Sequence, residues 1–290
     1  MSSVDARGQE VFDLIQRRAR GEADRTGTRA ATGEYLVRHA LESFLHRLSL
    51  TKHGDDFVLK GGILLAAYGI RRPTKDIDAE AISVEVSPLH LKDIVVDVAA
   101  VDVDDGVEFD PATTTVADIR DGAEYPGLRL RVTSYIGRQK VIVSWDVSTG
   151  DPIVPTAHLI RVPRVLGPDI EVLGYAPETV IAEKGVTILE RGTTSTRWRD
   201  YIDIVQLARA YELDRADLEA SVRAVAAHRN VQVRPITPLI TGYGTTGQPK
   251  WAAWRTKAGV QGLSEERLDD QMKMVADVLD DLFAAIQVHP

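Results

Sequence analysis

Phe57-Val58-Leu59-Lys60-Gly61-Gly62, an apolar run from Ile63 to Ile70, and Thr74-Lys75-Asp76-Ile77-Asp78-Ala79-Glu80 follow one another without a break. No other stretch narrows the folding options of this chain as much. Ile63, Leu64, Leu65, Ala66, Ala67 and Tyr68 form helix readily, while Gly69 and Pro73 mark a stop, so the stretch predicts a glycine turn, a short helix, a loop and a strand. Glycine lets a ligand approach the backbone closely, and the unpaired N–H groups of a first helical turn favour phosphate. In the strand, Asp76 and Asp78 are two residues apart, so both carboxylates project from one face while Ile77 turns into the core. Such a pair suits Mg²⁺, which takes oxygen ligands from one or two carboxylates and from substrate phosphates. Taken singly, an Asp-x-Asp is more often an exposed polar face and a Gly-Gly is more often just a turn. Their order on one short unit favours a nucleotide and metal site.

The pattern resembles the nucleotidyltransferase signature of the polymerase-beta-like superfamily: a hydrophobic residue, Gly-Gly or Gly-Ser, a spacer, then Asp-hydrophobic-Asp. In that superfamily a third carboxylate on a neighbouring strand completes the metal site and can act as base on the attacking hydroxyl. Val141-Ile142-Val143-Ser144-Trp145-Asp146-Val147 is apolar almost throughout, which predicts a central buried strand with one charge near its end. A carboxylate there is costly unless it pairs or binds metal, so Asp146 is the candidate third ligand; the alternative is that it caps the turn at Ser148-Thr149-Gly150-Asp151.

The 290 residues suffice for one large or two ordinary domains, and a 44% hydrophobic content can fill a core. The chain contains no cysteine, which excludes disulfides, thiolate zinc sites and cysteine nucleophiles. No apolar run approaches the roughly 18 residues of a membrane span. The polar start Met1-Ser2-Ser3-Val4-Asp5 lacks a secretory apolar core, so a cytoplasmic protein with no membrane partner is expected. A net charge of −8 argues against nonspecific coating of nucleic acid. The charge is nonetheless uneven: Ser221 to Ser264 holds no acidic residue, whereas Asp76 to Asp110 is acidic. Tyr243, Trp251 and Trp254 lie in the acid-free stretch among Arg234, Lys250, Arg255 and Lys257. Aromatic and basic side chains interleaved in this way can stack on unpaired bases and bind phosphates, although tryptophans in helices more often belong to a core.

Helices are predicted over Val11 to Ala19 and Tyr35 to Leu50, joined by a threonine-rich loop from Gly21 to Gly33. His39 and His46, two turns apart without a third ligand, read as packing or surface residues. Pro88 opens a helix through Val98; strands follow at Thr114 to Ile119, Leu128 to Tyr135 and Gln139 to Val147, the last two a hairpin about Gly137-Arg138. Proline-punctuated Asp151 to Pro168 reads as a connector. Helices follow from Pro177, after Arg197, over Leu218 to Val225, over Trp251 to Ala258 and over Glu265 to Ile286, with a break from Arg234-Pro235 to Pro249.

Ala182-Glu183-Lys184, Ile188-Leu189-Glu190-Arg191-Gly192 and Arg199-Asp200-Tyr201-Ile202-Asp203, together with Lys60-Gly61-Gly62 and Thr74-x-Asp76-x-Asp78, resemble the motifs of the AbiEii/MenT nucleotidyltransferase toxins of bacterial type IV toxin-antitoxin systems. The resemblance covers roughly Phe57 to Leu207. It implies an α/β (α+β) fold, with a polymerase-beta-like nucleotidyltransferase domain over 1–155, its mixed sheet with flanking helices within 30–155. A mainly helical C-terminal domain over 156–290 follows, with the site between the two. It also implies Mg²⁺ or Mn²⁺ as cofactor, NTP as substrate, an RNA acceptor such as the tRNA 3′ end, and a neighbouring AbiEi/MenA-type antitoxin.

On this reading Asp76, Asp78 and Asp146 hold metal; Lys60, Gly61, Gly62, Thr74, Lys184 and Asp203 serve the nucleotide; and Lys184 and Asp200 belong to the catalytic set. An ammonium from a helix can offset charge on departing pyrophosphate. Asp200 and Asp203, one turn apart, share a face; either could orient Lys184 or an arginine, the resemblance favouring Asp200, or pair structurally with Arg199 or Arg197. Phosphate on Thr74 would repel incoming nucleotide. A small-molecule acceptor such as an antibiotic hydroxyl, or a binding module without catalysis, remains the alternative.

Overall fold

The structure is a computed structural model describing residues 3–27, 31–82, 84–119, 127–194 and 197–288. It is a mixed α/β fold that divides into two compact units. The first comprises residues 1–67, 73–150 and 159–174; the second comprises 68–72, 151–158 and 175–290.

In the first unit, helices α1 (Ser3–Thr26) and α2 (Thr32–Ser49) precede strand β1 (Phe57–Lys60), helix α3 (Gly61–Ala67), strand β2 (Ile77–Ala81) and helix α4 (Pro88–Ala100). Five strands complete its sheet: β3 (Val107–Asp118), β4 (Gly127–Ile136), β5 (Gln139–Thr149), β6 (His158–Val162) and β7 (Ile170–Gly174). The seven strands are ordered β3-β4-β5-β2-β1-β7-β6. β2 runs antiparallel to β1 and parallel to β5, so the sheet is mixed.

Alternation along the strands gives the central sheet two chemically distinct faces. Val141, Val143, Trp145 and Val147 of β5, and Ile77 and Ala79 of β2, are buried. Trp145 lies 4.7 Å from the ring of Phe57 and 5.5 Å from that of Phe44 on α2, and Phe44 in turn meets Phe109 edge-on at 5.8 Å. This aromatic cluster anchors one face to α2. The intervening residues Asp78, Ser144 and Asp146 turn to the other face and stay partly accessible. His39 is fully buried, with Nε2 2.9 Å from the Asp105 carbonyl, and His46 contacts Arg164; among the described residues neither joins a metal-binding cluster.

Two expectations change here. α1 continues to Thr26 instead of giving way to a loop at Gly21, because Ala19 and Ala23 are buried four residues apart and Arg25 pairs with Glu22. One helical glycine costs only about 1 kcal/mol against that packing. The rest of the expected loop includes 28–30, which lie outside the described residues. Within the expected connector, His158–Val162 forms strand β6 at the sheet edge, where neighbouring prolines leave no central ladder bond unmade.

The second unit is helical: α5 (Pro177–Arg191), α6 (Trp198–Ala210), α7 (Arg215–His228), α8 (Thr237–Ile240), α9 (Tyr243–Ala258) and α10 (Leu268–Val288). Gly185 brings α5 close to α10, since a methyl group there would stand 3.0 Å from Leu279 Cδ1 and 3.1 Å from Phe283 Cζ. α9 begins at Tyr243 and carries Pro249 inside it, where a break was expected. Burial of Gly247 and Trp251 on one side holds that helix together despite the lost N–H. No described helix is long and apolar enough to cross a membrane.

Candidate active site

Three carboxylates converge on the open face of the first unit. Asp76 immediately precedes β2, Asp78 lies on it, and the parallel register sets Asp78 directly opposite Asp146 on β5. Asp76, Asp78 and Asp146 each offer an oxygen, all within 4.8 Å of one another, and all three are partly accessible. A hard divalent cation takes such an all-oxygen donor set. Asp146 does not cap the following turn: β5 runs on to Thr149, and Arg129 of β4, its partner in register, grips both carboxylate oxygens at 2.7 and 2.5 Å. That fork fixes the direction of the Asp146 carboxylate.

The glycine at the end of β1 is required by this cluster. Gly61 has φ +66°, and a Cβ there would lie 1.9 Å from Asp78 Oδ2. Lys60 sits opposite Asp78 in register, and its ammonium is 3.0 Å from buried Glu80, which also accepts the Ser148 hydroxyl. Gly62 is buried in the first turn of α3. Thr74 places its hydroxyl 3.5 Å from Asp76 Oδ1, the outer limit of a hydrogen bond. Glu80 and Arg129, absent from the expected set, show in the sequence only as alternate-position charges on two strands.

The second unit holds a buried charge cluster. Lys184 of α5 lies 2.7 Å from Asp200 and 2.8 Å from Asp203, both on α6. Asp203 also binds Arg72 through two bonds of 3.1 and 3.2 Å, and Arg197 reaches Asp200 at 2.8 Å. Orientation of Lys184 and structural pairing with Arg197 are therefore both realised. Asp203 has no exposed surface, which corrects its assignment to nucleotide contact: it can position Lys184 and Arg72 but cannot touch a ligand.

Burial opposes the Lys184 charge, yet the two carboxylates outweigh it and hold its pKa above the ordinary lysine range. Burial likewise disfavours the Asp200 carboxylate, and Lys184 and Arg197 more than compensate, holding it below the usual range. A depressed Asp200 contributes stability that is complete above its unfolded pKa of about 3.9 and lost as pH falls through the folded value. The melting-temperature gap between wild type and Asp200→Asn should therefore be widest near neutrality and shrink below about pH 4. A gap constant from acid to neutral pH in thermal melts would contradict this.

The basic and aromatic stretch divides. Arg234, Lys250 and Lys257 are exposed. Arg255 is engaged, donating to the Ser264 hydroxyl and carbonyl at 2.9 Å each. Trp251 is fully buried, stacked on Trp254 at 5.4 Å and edge-on to Trp198 at 6.0 Å, with Nε1 bonded to the Glu265 carbonyl. It is core and has no face left for a base, which corrects its place among RNA contacts.

Residues 43–281 match the family model for the nucleotidyl transferase AbiEii toxin of Type IV toxin-antitoxin systems. The chain belongs to the AbiEii family. It is accordingly a nucleotidyltransferase of a toxin family, in agreement with the motifs read at Lys60-Gly61-Gly62 and Asp76-Ile77-Asp78. Among solved structures this AbiEii chain resembles JHP933 from Helicobacter pylori, with TM-score 0.51 and 14% identity over 89% of this chain and 94% of that one. At that identity the likeness shows the fold alone. A second H. pylori structure, described as a candidate nucleotidyltransferase, aligns with TM-score 0.45 and 15% identity over 89% of this chain and 95% of that one. No curated protein matches the AbiEii chain.

Proposed function

We propose that the chain is a metal-dependent toxin that transfers nucleotides from an NTP to the 3′ end of an RNA, with tRNA the favoured acceptor, and that an antitoxin neutralises it. The observation that carries this reading is the convergence of Asp76, Asp78 and Asp146 within 4.8 Å on an accessible sheet face, in a chain of the AbiEii family. The donor set is all carboxylate oxygen, and Gly61 leaves room for the Asp78 side chain; both fit Mg²⁺ or Mn²⁺. When bound there, the metal would neutralise triphosphate oxygens and developing charge on the leaving group.

The chain's own groups divide the remaining work. Asp146, oriented by Arg129, is positioned to accept the proton of the acceptor hydroxyl as it attacks the α-phosphorus. The bond from that phosphorus to the bridging oxygen breaks and pyrophosphate departs. Gly61 and Gly62 allow close approach of the triphosphate to the backbone. Lys184 is kept charged by Asp200 and Asp203, and an ammonium of that kind suits a β or γ phosphate.

Labelled NTPs incubated with the protein, total RNA and Mg²⁺ or Mn²⁺ test the proposal. Label is expected at RNA 3′ ends, and no label with any nucleotide and either metal would reject it. Chelation with EDTA is expected to abolish transfer, and added Mg²⁺ to restore it. Transfer that persists in EDTA would remove the three carboxylates from the role of metal ligands.

A further inference from the structure

The open face of the sheet carries more than the three carboxylates. In register, Arg129 stands beside Asp146, Arg131 beside Ser144, Thr133 beside Ile142 and Tyr135 beside Lys140, four successive rows on one face. A groove of about 1180 Å³ runs along it, lined among others by Asp76, Arg131, Thr133, Lys140 and Ser144. The small-molecule pockets of proteins fall in the range of roughly 300–1,000 Å³. This one is larger and is lined by Lys75, Arg129, Arg131 and Lys140 against only Glu34 and Asp76. Among the described residues no carboxylate pairs with Arg131 or Lys140. Beyond them the same face presents the Tyr135 ring, 36% exposed, and Ile142, 44% exposed.

Exposed cations at strand spacing and an accessible aromatic ring form the surface on which single-stranded nucleic acid lies: phosphates on the cations and a base on the ring. Charge complementarity, size and continuity with the carboxylate row select the occupant. We propose that the single-stranded end of the RNA acceptor lies along β4 and β5, with Arg131 and Lys140 on its phosphates and Tyr135 stacked on a base. This rests on the RNA-acceptor reading above and adds where the strand lies and which end meets the chemistry. Asp76 lines the same groove and Arg129, another lining residue, stands beside Asp146, so the terminal hydroxyl is the part directed at the carboxylates.

The test uses the full chain and a short fluorescent single-stranded RNA with a free 3′ hydroxyl, with affinity read by anisotropy across a salt series. Arg131→Glu and Lys140→Glu are each expected to weaken binding at least about tenfold at low salt and to reduce the salt slope by about 0.7 per lost phosphate contact. Tyr135→Ala is expected to weaken binding about tenfold with the slope unchanged, and Tyr135→Phe to restore it. All three side chains are exposed, so circular dichroism should be unaltered, and Mn²⁺-dependent binding of a fluorescent NTP analogue should match wild type. Should wild type label RNA while these variants bind it unchanged, the groove is wrong and the transferase reading stands. If the variants keep RNA affinity but lose a purified antitoxin, the face belongs to a protein partner and the proposal falls. Wild type that neither binds nor labels RNA overturns the acceptor reading together with this one.

Discussion

Asp78→Asn is expected to lower nucleotide transfer about 10³-fold or more while leaving the melting temperature close to that of wild type. Asn keeps the volume of Asp and removes the charge, and loss of one charged or metal-holding group at a phosphoryl-transfer centre has effects of that order. Asp78 occupies the middle of the row, opposite Lys60 on one side and Asp146 on the other, with its carboxylate against the Cα of Gly61. Its loss therefore removes the ligand that Asp76 and Asp146 share as a neighbour. Label incorporated into RNA per minute, measured beside a thermal melt, checks both halves. If the Asp78→Asn protein retains more than about a tenth of wild-type transfer, the cluster is not the reacting centre.

The largest effect on stability is expected at Asp203. Asp203→Ala leaves Lys184 with one carboxylate and Arg72 without its two-bond partner, both cations still buried or nearly so. Removing one member of a buried ion cluster costs about 3–5 kcal/mol, because the remaining charge stays desolvated. At about 2–4 °C per kcal/mol for a domain of 150–250 residues, the melting temperature should fall by roughly 10 °C. Asp277→Ala is the control: its pair with Lys273 spans one turn of α10 with both side chains mostly exposed, worth under about 0.5 kcal/mol. Equal effects of the two substitutions in denaturant or thermal unfolding would mean that the cluster contributes nothing beyond surface pairing.

What the sequence disclosed is what local periodicity encodes. Val141, Val143, Trp145 and Val147 alternate with Ile142, Ser144 and Asp146, so the face carrying Asp146 follows from spacing alone, and the glycine pair announces the turn that accommodates Asp78. Partners distant along the chain were not visible. Arg72 and Asp203 are 131 positions apart, and nothing in either segment names the other. α9 has no continuous apolar stripe, so Trp251 among basic residues looks the same whether it faces solvent or the core. Its burial is decided by Trp198 and Trp254, one of them on another helix. Strand β6 escaped because flanking prolines argue against a central strand and say nothing against an edge. The groove of β4 and β5 was half legible: the basic outward positions Arg129 and Arg131 could be read, but not that Lys140 and Tyr135 would share their row system.

The contact between Gly61 and Asp78 passes through neighbouring strands, not along the loop that joins them. The segment from Tyr68 to Lys75 is not what mates the two motifs; it answers to a different demand, since Arg72 within it binds Asp203. A one-residue slip inside β2 would turn Ile77 outward and drive the acidic side chains into the aromatic core. An insertion in that strand would therefore destroy the whole molecule, whereas exchanging a single acid for its amide would remove one charge and leave the fold standing.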